Sequence, residues 1–221
     1  MSNQQPRSAR SAVLELLTVL AALLAVAQGA SMLIASGPSR PARAVSPTDR
    51  SAGQPAPTTL PGQPAPTPLP RSVPVRVSIP AIDADSSLIP LGLTADQTLE
   101  TPPVEDPMQA GWYSLSPTPG EAGAAVIVGH VDGHHDPGIF YQLYKLKRGD
   151  QIRITRQDGT TARFSVYRTT QVDKSDFPTD QVYAATTRPE LRLITCGGIF
   201  NRASGNYTDN IIIFAALAAS P

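Results

Sequence analysis

Apolar and polar side chains alternate with a period of two along parts of the C-terminal two thirds of the chain. Ile152 and Ile154 flank Arg153, and Phe164 and Val166 flank Ser165 after Arg163, the pattern of a strand with one buried face. Further β-like runs are Ala124-Ala125-Val126-Ile127-Val128-Gly129 and Leu191-Arg192-Leu193-Ile194-Thr195. Strands are predicted near 75–79, 89–93, 124–129, 151–156, 162–170, 191–195 and 210–215, with clusters of Pro, Gly and Asp between them. Asp158-Gly159 reads as a tight hairpin turn. Residues 141–146 and 179–184 read as one or two helical turns each. Many short strands with few helices predict a mostly β fold, a closed β-barrel of about eight strands, because closure leaves no edge unpaired.

The N-terminal third follows other rules. Residues 13–35 are mostly apolar, and a bilayer core of about 30 Å needs roughly 20 such residues as helix. Ala25-Val26-Ala27 resembles a signal-peptide cleavage site, but apolar character resumes through Met32-Leu33-Ile34, which favours an uncleaved signal anchor. Arg7 and Arg10 favour a cytoplasmic N-terminus over 1–12 and an extracellular C-terminal part. Residues 36–72 form a linker in a stretch where eleven of the 23 prolines fall between Pro38 and Pro74. Such a segment buries too little to offset its ordering entropy, and in polyproline geometry it spans on the order of 100 Å. Residues 73–221 are then a single folded domain, expected to be monomeric.

Charge narrows the function. Residues 1–74 carry six arginines against Glu15 and Asp49, whereas 75–221 are mildly acidic with Lys145, Lys147 and Lys174 as the lysines. That domain offers no basic face to a phosphate backbone, so no nucleic-acid partner is expected.

Cys196 is the one cysteine. It can form no internal disulfide and build no cysteine zinc site, which leaves a packing thiol, an intermolecular crosslink or a nucleophile. A lone thiol in an exported chain calls for an explanation. Upstream, a second β-like run ends in His130. One cysteine and one histidine that each close a strand are how a rigid scaffold presents a nucleophile and its proton partner.

These residues resemble a known family. Leu193-Ile194-Thr195-Cys196 is similar to the strand-closing signature of sortases, the cysteine transpeptidases of Gram-positive cell surfaces, and Val128-Gly129-His130-Val131-Asp132 resembles their histidine segment. Ile79-Pro80-Ala81-Ile82 and Leu91-Gly92 resemble their first two strands. The block from Thr195 through Arg202 to Tyr207-Thr208-Asp209-Asn210 is similar to the actinobacterial class F, with class E next. The resemblance spans nearly all of 73–217. It implies a sortase-like barrel and a reaction without cofactor; some sortases use calcium through an acidic cluster, but Asp83, Asp85 and Asp106 make no recognisable binding loop, so no metal is expected. Cys196 would attack the Thr–Gly amide of an LPXTG-like sorting signal, and a peptidoglycan-precursor amine would resolve the thioacyl enzyme. His130 would exchange the protons. Many sortases place an arginine just before the last strand, where Thr208, Asp209 and Asn210 stand here. Arg202 is the one Lys or Arg after Cys196 and is the candidate cation for the scissile carbonyl, with Asn210 as a second polar candidate. Thr195 and Asp132 are supporting candidates, Asp132 to orient His130 or cap a turn.

Other readings compete. His130, His134, His135 and Asp136 imitate the ligands of a metal-dependent hydrolase, although solvated loop histidines are the favoured account of His134 and His135. A non-enzymatic tethered β-domain is a further reading. The L,D-transpeptidases also pair Cys with His, but Ile194-Thr195-Cys196-Gly197 does not match their nucleophile segment. Trp112 and Tyr113 are expected in the core.

Overall fold

The computed structural model describes residues 66–133 and 136–219. The proposed anchor, most of the linker, His134 and His135 lie outside the described residues. Among the described residues ten strands follow in chain order: β1 (Pro74–Ile79), β2 (Ala84–Leu91), β3 (Ala110–Tyr113), β4 (Gly123–Gly129), β5 (Asp132–Gly133), β6 (Asp136–Pro137), β7 (Gln151–Arg156), β8 (Thr161–Asp173), β9 (Pro189–Asn201) and β10 (Asn206–Leu217). Eight of them close a barrel in the order β1-β2-β3-β4-β9-β10-β8-β7, and β5 and β6 form a small separate ribbon. The expected closed barrel is present. Among the described residues no helix is long and apolar enough to cross a membrane.

Alternation builds the interior. Val77 and Ile79, Ala125 and Ile127, Ile152 and Ile154, Phe164 and Val166, Leu191 and Leu193, and Ile211 and Ile213 all point into one buried cluster. The opposite faces of β4, β9 and β10 carry a second cluster: Val126, Val128, Ile194, Ile212 and Phe214. A short helix, α1 (Thr179–Tyr183), adds Val182 to this outer cluster from the β8–β9 connection. β4 is therefore buried on both faces, as its unbroken apolar run requires.

Several expected elements shift. The strand expected at 89–93 begins at Ala84 and ends at Leu91, because the polar run Asp85-Ser86-Ser87 is taken into the ladder. The Ser86 hydroxyl is buried there and accepts from the Ala110 N–H at 3.0 Å. β3 was not expected at all. It contains Trp112, which is core as expected, whereas Tyr113 is only half-buried. The turn at 141–146 narrows to a 3-10 turn, Leu143–Lys145. The Asp158-Gly159 turn does join β7 to β8, with Gly159 at φ +81.

Candidate active site

β4 and β9 are adjacent and parallel, paired from Gly123 with Pro189 through Val128 with Ile194. His130 and Cys196 each follow the last of these rungs, Val128 with Ile194, by two residues. Neighbouring strands lie about 4.8 Å apart, and residues two apart share a face. His130 thus continues the outward row of Val126 and Val128, and Cys196 the row of Ile194. The site sits where this outer apolar face ends.

Each partner is held locally. The Phe140 N–H donates to the His130 carbonyl at 3.0 Å, which fixes the chain as it leaves β4. The His130 ring meets the Pro102 carbonyl through Nε2 at 2.7 Å. A carbonyl can only accept, so Nε2 carries the proton in this arrangement and Nδ1 is the basic nitrogen. Cys196 is a half-buried free thiol in β9. Past it the strand bulges. Phe200 pairs with Tyr207 and Gly197 with Asp209, so β9 spends one residue more than β10 between these rungs. Gly198 takes the bend at φ +77, where a Cβ would fall 2.5 Å from the Thr208 hydroxyl.

The other candidates are dispersed. Asn210 is the register partner of Cys196 on β10 and lies beside it. Asp132 accepts a short hydrogen bond from the Tyr207 hydroxyl, which ties the histidine loop to β10. That bond, followed by partial burial, pushes the Tyr207 phenol up to about 12. Thr195 alternates to the other side of β9 and is 3% exposed, and its hydroxyl has no hydrogen-bond partner among the described residues. Arg202 stands exposed in the turn between β9 and β10. The cation that touches the sulfur is Lys174, whose Nζ lies 3.5 Å from Cys196 Sγ and 2.6 Å from Asn206 Oδ1.

Lys174 and Tyr207 escaped the sequence reading. Lys174 sits in the connection after β8, where spacing carries no strand signal. Tyr207 lay within the quoted block before the last strand but had no partner to recommend it. Among the described residues no group of His, Cys, Asp and Glu is arranged to hold a metal, and His134 and His135 lie outside them.

The same outer face carries an apolar groove of about 670 Å³ at the other end of β4, next to Ala124. Leu99, Leu115, Tyr113, Phe177 and Tyr183 line it. Tyr113 and Tyr183 meet edge to face with centroids 6.2 Å apart. The connection that supplies Phe177 and Tyr183 is pinned to the sheet. Arg192 Nε donates to the Gln181 carbonyl at 3.3 Å, and Arg168 to the Gln181 side chain at 3.2 Å. Arg192 in turn pairs with Glu190 at 2.6 Å, and Arg168 stacks 3.6 Å from the Phe214 ring centroid.

Solved structures give this arrangement relatives. Sortase A from Corynebacterium diphtheriae aligns with a TM-score of 0.52 at 24% identity, over 69% of this chain and 63% of that one. Sortase C-1 from Actinomyces oris aligns at 0.51 and 22% identity, over 66% of this chain and 76% of that one. The lid mutant of Streptococcus agalactiae sortase C1 aligns at 0.51 and 16%, over 66% and 70%. At such identities the likeness shows the fold. No curated protein sequence matches this chain. Residues 77–218 match the sortase domain family, a span that holds nearly all of the barrel, the histidine that follows β4 and the cysteine of β9, and the chain belongs to the sortase family of cysteine transpeptidases.

Proposed function

We propose that this chain cleaves an LPXTG-like sorting signal between Thr and Gly and passes the acyl group to the amine of a cell-wall precursor. The observation that supports the reading is the parallel pairing of β4 with β9, whose last rung, Val128 with Ile194, lies two residues before His130 and two before Cys196. The Cys196 sulfur attacks the scissile carbonyl carbon, the C–N bond breaks, and the leaving amine takes its proton from His130. The incoming amine then returns a proton to His130 as its nitrogen displaces the sulfur. Neighbouring Asn210 is suited to contact the bound carbonyl, and Thr195 supports the strand beneath the thiol. Arg202 reaches substrate in this scheme only if the β9–β10 turn folds back over the site. The apolar groove beside Ala124 suits the part of the substrate that remains with the enzyme, because the reacting end must stay open for the two amines to exchange.

In this proposal residues 13–35 anchor the chain in the cell membrane as a single span, with the catalytic domain extracellular. The linker over 36–72 gives it reach into the wall. The block from Thr195 to Asn210 favours class F. The reading is tested by mass spectrometry of the enzyme incubated with a library of LPXTG-like peptides. Wild type should gain the acyl mass on Cys196 and transfer it to an added amine. Cys196→Ala should form no adduct while keeping its circular dichroism. His130→Ala should lose roughly 10²–10⁴-fold in rate. Transpeptidation that persists in Cys196→Ala would sink the reading.

A further inference from the structure

We infer that Lys174 is the cation that pairs with the Cys196 sulfur while that sulfur carries negative charge, a role that rests on the transpeptidase reading above. The sulfur is charged twice in such a cycle: before it attacks, and when the amine displaces it from the thioester. A cation at the sulfur favours the nucleophile in the first case and the leaving group in the second.

The geometry around Lys174 is built from both sides. Lys174 opens the 3-10 turn Lys174–Asp176 directly after β8. Asp173 caps that turn, its side chain accepting from Ser175 N at 2.8 Å and from Ser175 Oγ at 2.6 Å. Asp173 is also the register partner of Asp209, whose carboxylate accepts from Gln171 at 2.6 Å. Asp209 precedes Asn210, the residue opposite Cys196. The backbone that presents Lys174 is therefore fixed next to the rung that carries the nucleophile. From the other side, Asn206 Oδ1 takes one proton of Nζ and is itself held by the Tyr207 N–H at 2.9 Å.

The chemistry of the contacts indicates what the ammonium is for. Among the described residues no carboxylate lies within ion-pair distance of Lys174; its contacts are one neutral amide oxygen and one sulfur. A neutral thiol is a weak acceptor and has little use for an ammonium, whereas a thiolate is an anion and pairs with it. The site already holds anionic Asp132, but that carboxylate is turned to the Tyr207 hydroxyl. Lys174 is thus the uncompensated positive charge against Sγ, and it belongs to a connection that the outer face pins down through Arg192 and Arg168. Arg202, the cation expected from sequence, stands exposed at the turn.

The test uses the full chain, in which Cys196 is the sole thiol and reports unambiguously. Its alkylation is timed at neutral pH with iodoacetamide, which is neutral, and with iodoacetate, which is anionic. Lys174→Met should slow iodoacetamide by about tenfold, because the sulfur loses the cation that pairs with it. Iodoacetate should slow further still, because the anionic reagent also loses an attractive charge. Lys174→Arg should stay near wild type, and Lys147→Met, which removes the same charge elsewhere, should change neither rate. Asn206→Ala should move both rates in the direction of Lys174→Met with less effect. A Lys174→Met rate equal to wild type, or an unchanged iodoacetate-to-iodoacetamide ratio, overturns the inference. Faster alkylation by both reagents would report an opened site and would overturn it too, unless Asn206→Ala, with an unchanged melting curve, showed the selective loss. Because alkylation needs no sorting signal, a wild-type chain that fails to transpeptidate but shows the Lys174 dependence would sink the function and leave this pairing intact.

Discussion

Two phenols show how single side chains set limits on the molecule. Tyr167 donates to Glu190 at 2.8 Å beneath the β8–β9 connection, and its phenol is pushed up to about 12, chiefly by burial. Tyr207 is raised to about 12 as well, chiefly by its bond to Asp132. Both groups ordinarily titrate at 10.0, so above that pH the unfolded chain releases its protons first. The stabilisation from these phenols is complete below about pH 10 and is lost as pH rises through about 12. Urea unfolding at pH 9 and pH 11 should show a drop for wild type and a smaller one for Tyr167→Phe. Equal drops would mean that Tyr167 is not the group responsible. Tyr207→Phe is expected to act on catalysis. It frees Asp132 to swing in the loop that carries His130, and kcat/KM for a sorting peptide should fall roughly 3- to 10-fold, the scale of one hydrogen bond. A Tyr207→Phe enzyme with wild-type kcat/KM would reduce the Tyr207–Asp132 bond to a surface contact.

Elements show which parts of this site were legible in the sequence. β4 and β9 were legible because each carries a largely apolar run that leads to a chemical residue, His130 just past β4 and Cys196 within β9. β3 was not, since its four residues include a glycine and pair with β2 in parallel, across a connection that no local pattern betrays. The expected end of β9 at Thr195 was also too early. The strand continues to Asn201 because Gly198 lets it bulge and stay paired, and a glycine after a run reads as a stop. Lys174 was invisible for a related reason: its meeting with Cys196 depends on how β8 registers against β10, not on anything near Lys174 in sequence. The bulge yields a prediction of its own. Gly198→Ala puts a Cβ 2.5 Å from the Thr208 hydroxyl and forces a left-handed residue to carry a side chain. It should cost about 1–2 kcal/mol in unfolding free energy and lower kcat more than that loss alone explains, because the strand that shifts is the one that carries the thiol. Unchanged stability and rate would mean that the bulge absorbs the change by relaxing away from the site.

At the scale of the whole domain the chain enters the barrel at the end opposite its chemistry. β4 and β9 begin together at Gly123 and Pro189, His130 directly follows β4, and Cys196 lies within β9 past its last pair with β4. The residues before β1 are fastened at the near end. Leu69 N donates to the Gly120 carbonyl at 2.8 Å, and the Leu69 side chain packs against the barrel core. Ser72 donates to Thr118 at 3.1 Å and accepts from Asp158 N at 3.1 Å. Arg156, 2% exposed, donates to the Pro70 carbonyl in a short bond and pairs with Asp158 at 3.6 Å. The linker expected over 36–72 thus has a final stretch that packs like part of the domain. A chain begun at residue 73 would leave Arg156 buried with one acceptor fewer and uncover the Leu69 site. Its unfolding free energy should fall by about 2 kcal/mol relative to a chain begun at residue 66, or roughly 4–8 °C in Tm for a domain of this size. The reacting groups lie at the other end, so kcat/KM for a short sorting peptide should agree between the two below their melting temperatures. Equal melting temperatures would mean that residues 66–72 rest on the barrel without stabilising it. A loss of activity with stability retained would mean instead that the entering segment and the Cys196 end are coupled through the strands between them, the β4–β9 pair among them.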